Sequence, residues 1–236
     1  MRSAEIIFEI SIMSVKNSSS EIRVEEPRSP LSKPNHLQDL DTFKFRLKEL
    51  ANLFTMFPPA LLCLLILNET WLAVDRYLLA SCLGAVIHMP FAVGFHFASF
   101  LIPETPHFIW EKLDLTFVHA ASVFNAYGLS RSDWFASLNL VVNSLFVIQS
   151  WMTLDPSWKR SRPRNYSIAV FLQSFPLLLY GLHGHFLWML LWGSLGGLVY
   201  AAQFFGIWSH AVFHLTLTGW QFHLLQAALK IASPLA

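Results

Sequence analysis

From residue 52 onward the chain is a succession of apolar runs separated by short polar connections. A bilayer hydrocarbon core of about 30 Å takes roughly 20 residues of helix to cross. Seven runs near that length are expected, at about Asn52 to Leu67, Trp71 to Leu101, Pro106 to Tyr127, Asp133 to Trp151, Tyr166 to Tyr180, His185 to Phe205 and Trp208 to Ile231, the fifth being the shortest. Trp71, Trp110, Trp134, Trp151 and Trp208 fall near the ends of these runs, where indole rings suit the membrane interfaces. The predicted fold is an all-α membrane protein, a seven-transmembrane helix bundle over residues 52–231.

The pattern ahead of the first run is different. Leu40, Phe43, Leu47 and Leu50 recur at helical spacing beside Lys44, Arg46 and Lys48, which predicts a short amphipathic helix over 40–51 lying on the membrane surface, or else the leading turns of the first span. Residues 1–39 hold Ser18 to Ser20 and the turn-rich stretch Pro27 to Pro34, and are expected to form a flexible cytosolic tail. The early run Ile6 to Met13 is interrupted by Glu9 and lacks a basic lead-in, which argues against a signal peptide.

Composition agrees with the pattern. The 236 residues are 54% hydrophobic and 13% charged, with a mean hydropathy of +0.46; a water-facing surface cannot be built from that supply. A net charge of +1 leaves no Lys/Arg surplus for binding nucleic acid. Cys63 and Cys82 lie in apolar runs and read as small buried hydrophobes. Thirteen of the sixteen Lys and Arg fall on one side of the expected topology, and only Arg76, Arg131 and Lys230 on the other. Basic residues stay on the cytosolic face, so the N-terminus is expected in the cytosol, in an endomembrane or the plasma membrane. No internal repeat is visible, which weighs against an inverted-repeat transporter.

The candidate chemistry lies in the histidines, ten in all. His210 and His214 are four apart at the start of the last run, so both imidazoles leave one helix face and can approach one ion. Standing alone, such a pair is as readily explained by hydrogen bonds to neighbouring helices. The zincin motif also spaces two histidines by four, but its intervening Glu is missing, Ala211, Val212 and Phe213 standing between. His96 comes late in the second run and Asp114 early in the third. With the N-terminus inside, the second helix ends where the third and seventh begin, so all four residues can meet at one depth. Three neutral imidazoles with an open position make the usual catalytic zinc site, and a carboxylate beside it can hold or deprotonate a water. Asp114 can also be a solvated interfacial carboxylate.

Phe95-His96, Lys112-Leu113-Asp114 about eighteen residues on, and Ser209-His210-x-x-x-His214 together resemble the three blocks of the progestin and adipoQ receptor family, or haemolysin III-related proteins. That family shares a superfamily with the alkaline ceramidases and the Per1-like proteins. The resemblance spans roughly residues 50 to 231. It implies a seven-helix fold, Zn2+ held by His96, His210 and His214, a water-contacting Asp114, and hydrolysis of a lipid amide or a receptor role built on that activity. One departure stands out: the family places Ser four residues before the second-helix His, and this chain has Ala92. Ser99, a turn beyond His96, is a weak substitute.

Three function classes compete. The first is a zinc-dependent hydrolase of a lipid amide or ester, with Asp114 as the catalytic base. The second is a receptor or scaffold that keeps the zinc site without catalysis, a reading favoured by Ala92. The third is a bis-histidine haem protein built on His210 and His223, which needs a matching pair on another helix; the second helix offers only His88 and His96, eight apart. His119, Asn125, Gln221 and His223 are expected to satisfy polar partners across the bundle, and Gly193 with Gly197 to let the sixth helix pack closely.

Overall fold

The computed structural model describes residues 35–69, 75–103, 106–152 and 158–232, with side chains from residue 39 except at 158–161. The chain divides into units 1–38 and 39–236. As far as residue 34, the tail expected over 1–39 lies outside the described residues; helix begins at Asn35.

All described elements are helical: α1 (Asn35–Thr55), α2 (Phe57–Glu69), α3 (Arg76–Leu101), α4 (Phe108–Ser130), α5 (Asp133–Met152), α6 (Trp158–Ser174), α7 (Pro176–Leu179), α8 (His183–Ala202) and α9 (Ser209–Ala232), with a 3₁₀ turn at Gly206–Trp208. Four stretches are long and apolar enough to cross a membrane: 39–69, 76–101, 133–152 and 183–202. α4 and α9 match them in length, at 23 and 24 residues, but carry polar side chains that the bundle buries. These are His119, Ser122 and Asn125 on α4, and His214, Thr216 and Gln221 on α9. Each helix packs against several others, α4 on α3, α5 and α6, and α9 on α2, α3 and α8, so their polar groups find partners inside.

The segment 40–51 is continuous with α1, and its inner end is buried: Glu49 and Asn52 are 4% and 0% exposed. α1 stops at Thr55 because Pro58 and Pro59 follow, and proline supplies no N–H to continue the helical ladder. Met56 bridges the break, donating to the Leu53 carbonyl at 3.3 Å. Pro90 stands inside α3 without ending it. Pro176, by contrast, opens a new short helix after a turn at Phe175, so the expected fifth run is two helices, α6 and α7.

The outward faces are apolar. Leu140, Val141, Leu145 and Ile148 on α5 are all at least half exposed, a surface suited to lipid rather than water. Trp110, Trp134, Trp151 and Trp208 are also exposed; Trp71 lies outside the described residues. Inside, Cys63 and Cys82 are fully buried free thiols in a core with Leu129, Leu177, Leu224 and Leu225.

Close packing falls at different glycines from those expected. A Cβ on Gly193 or Gly197 would meet nothing nearer than 3.9 Å, whereas one on Gly128 would come within 2.6 Å of the Tyr77 carbonyl and run into Ser81 Oγ. Tight contacts therefore lie between α3 and α4 at Gly128 and between α8 and α9 at Gly196, where a Cβ would run into Thr216 Oγ1.

Candidate metal site

Late α3 and early α9 bring three histidines together. The rings of His96 and His210 have centroids 5.2 Å apart, those of His96 and His214 5.3 Å, and those of His210 and His214 4.5 Å. One nitrogen from each ring lies within 4.8 Å of the others, so the trio can hold a metal ion. His210 and His214 share a face through their four-residue spacing; bringing His96 to them requires the end of α3 to sit beside the start of α9. His96 and His214 are buried and His210 is partly open.

The hydrogen bonds around the rings determine which nitrogen is free. Glu49 Oε2 lies 2.7 Å from His96 Nδ1. A carboxylate only accepts, so that nitrogen carries the hydrogen and Nε2 keeps its lone pair. His214 Nδ1 lies 3.2 Å from the Asn52 carbonyl and 3.1 Å from Thr55 Oγ1. A carbonyl also only accepts, so Nδ1 is again the protonated nitrogen and Nε2 the free one. Two of the three imidazoles thus donate through Nδ1 and turn Nε2 away from these partners, the orientation that suits a divalent cation. The donor set fits a transition metal ion: imidazole nitrogens suit zinc, copper, iron or nickel rather than calcium or magnesium.

A cavity of about 400 Å³ reaches the site, lined by Lys48, Tyr200, Gln203, Gly206, Ile207 and His210. The Tyr200 ring meets the His210 ring edge-on at 5.1 Å. The trio is therefore approached from one side, at His210, while His96 and His214 form its closed wall. Ala92, one turn before His96, is 1% exposed and brings no hydroxyl of its own to that wall.

Asp114 is tied to His88, its Oδ1 lying 2.9 Å from His88 Nε2. His88 precedes His96 by eight residues, about 12 Å of helical rise. The carboxylate is thus anchored to α3 by a second histidine, at 21% side-chain exposure. His119 Nδ1 meets Asn143 Oδ1 at 2.8 Å, Asn125 donates to Gln173 at 3.3 Å, and Gln221 donates to Cys63 Sγ at 3.3 Å. His223 instead stacks on Trp188.

Sequence reasoning passed over Glu49, Asn52 and Thr55. A signal was present: three polar side chains at spacings of three, in a stretch otherwise apolar at Leu50, Leu53 and Phe54, are out of place on a helix merely resting on a surface. Comparison with protein-family models, curated proteins and solved structures finds no match to this chain.

Proposed function

We propose that this protein is a seven-span membrane enzyme that uses a zinc ion held by His96, His210 and His214 to hydrolyse a lipid amide or ester. The observation that carries this reading is the convergence of the three imidazoles beside a cavity that reaches one of them. Structural zinc sites are closed by four protein ligands, whereas catalytic ones use three and leave a position open to water or substrate. The resemblance to the progestin and adipoQ receptor family supports the same assignment, because its three motif blocks contain these residues.

A zinc ion there would supply Lewis acidity, polarising a scissile carbonyl and making a water easier to deprotonate. The chain's own residues do the rest. His96 and His214 present Nε2 from a fixed ring orientation. Asp114, held by His88 about two helical turns along α3 from His96, is the carboxylate that would take the proton from an attacking water and return it to the leaving group. The apolar faces around the cavity mouth, with Phe204, Phe205 and Ile207 exposed, would hold an acyl chain.

Four helices meet the length and hydropathy needed to span. The proposal adds α4, α6 with α7, and α9 as the remaining spans, with the metal site toward the cytosolic side, to which the expected topology assigns Lys48, Lys112 and Arg164. A second reading, a receptor or scaffold that retains the metal without turnover, is favoured by Ala92, since the wall beside His96 lacks the family's hydroxyl.

The test is metal content followed by turnover. Purified protein in detergent should carry one zinc per chain, and His210→Ala should lose it. Wild-type protein free of zinc, with a load unchanged by His210→Ala, defeats the proposal. Zinc present without hydrolysis of any long-chain amide or ester favours the second reading.

A further inference from the structure

We infer that α1 belongs to the metal centre, with Glu49 and Thr55 acting as positioning residues that set the tautomer and direction of His96 and His214. This rests on the zinc reading above and adds the residues that control how tightly the ion is held.

The break that ends α1 creates this arrangement. In an uninterrupted helix the Asn52 carbonyl would accept from the Met56 N–H, but Met56 donates to Leu53 instead. The Asn52 carbonyl is left to accept from His214 Nδ1 at 3.2 Å and from the Thr55 hydroxyl at 2.9 Å. Thr55 Oγ1 lies 2.9 Å from the Ala51 carbonyl and 3.1 Å from His214 Nδ1. Its proton goes to a carbonyl, so its lone pair is free to accept from the imidazole. The break at Met56 thus bears on a ring carried by a helix more than 150 residues later.

Glu49 supports the other buried ring. It is 4% exposed, and Lys48 Nζ at 3.1 Å and Asn52 Nδ2 at 3.4 Å share its charge. A carboxylate on the far nitrogen of an imidazole raises the basicity of the near one and prevents the ring from turning. Removing such a partner typically weakens metal binding by about 10- to 100-fold. Its Oε2 makes the shortest of these contacts, 2.7 Å to His96 Nδ1, so the carboxylate is turned toward a histidine of the trio.

The test measures zinc affinity of the full chain in detergent by competition with a chromophoric chelator, for wild type, Glu49→Gln, Thr55→Val and Thr55→Ser. Glu49→Gln should weaken zinc by at least about tenfold. Thr55→Val should weaken it by a smaller factor, because the Asn52 carbonyl remains, and Thr55→Ser should match wild type. Nitrogen-15 spectra of histidine-labelled, metal-free protein supply a readout independent of loading: His96 and His214 should carry hydrogen on Nδ1, and Thr55→Val should shift His214 alone. If Glu49→Gln fails to fold, the Thr55 pair and the tautomer spectra still decide. Zinc bound by wild type, with affinities and tautomers unmoved in every folded variant, overturns the role of α1 and leaves the zinc reading intact. Wild type that binds no zinc overturns both.

Discussion

Arg131 Nη2 donates to Asp75 Oδ2 at 2.5 Å, across the end of the bundle remote from the histidines. Asp75 is also the N-cap of α3, accepting from the Tyr77 and Leu78 N–H groups at 3.0 and 2.7 Å. Arg131, in the left-handed conformation after α4, reaches further to the Ile231 carbonyl at 3.1 Å and lies over the Tyr77 ring. One guanidinium therefore ties the start of α3 to the ends of α4 and α9, satisfying carbonyl and carboxylate groups that helix termini leave open.

Arg131→Ala should destabilise the bundle by about 2 kcal/mol, the scale of lost charged hydrogen bonds. Asp75→Asn should cost less, because Asn still caps α3. Thermal unfolding in detergent measures both; equal melting temperatures for Arg131→Ala and wild type would remove the staple from consideration.

Gly128→Ala should cost roughly 1–3 kcal/mol through overpacking, since the nearest obstacle besides Ser81 is Tyr77 backbone that cannot swing aside. Gly197→Ala meets nothing within 4 Å and should leave the melting temperature unchanged or slightly raised. Reversal of that order would show that α3 and α4 are spaced more widely than described here.

On the proposed zinc-hydrolase reading, Asp114→Asn should lower hydrolysis by about 10²- to 10⁴-fold, as expected for a proton acceptor, while zinc content stays at the wild-type level. His88→Ala should lower turnover less, by freeing the carboxylate it orients. The assay is release of fatty acid from a labelled long-chain amide in mixed micelles. Full turnover in Asp114→Asn would exclude this carboxylate as the base.

The proposed seven spans would put the two chain ends on opposite sides of the membrane. Epitope tags at each terminus, probed in selectively permeabilised cells, should report the N-terminal tag as cytosolic and the C-terminal tag as protected. Both tags on one side would require an even number of spans.

Much of this protein is legible from its sequence because the bilayer imposes one-dimensional rules. Length, hydropathy and tryptophan placement locate the apolar helices, since every spanning segment must satisfy its own backbone hydrogen bonds. The four-residue spacing of His210 and His214 follows from helical geometry alone. That His96 joins them was an expectation from topology, and the ring distances bear it out. The tertiary structure alone decided the surroundings. The partners of Glu49 and of the Asn52 carbonyl depend on α1 reaching His96 on α3 and His214 on α9. Asp114 pairs with His88 because two helices pack at that level, and Gly128 rather than Gly193 proves to be a close approach. Periodicity within one helix reports the face that is buried, whereas the partner met there depends on the azimuth and depth of another helix, set by packing of the whole bundle.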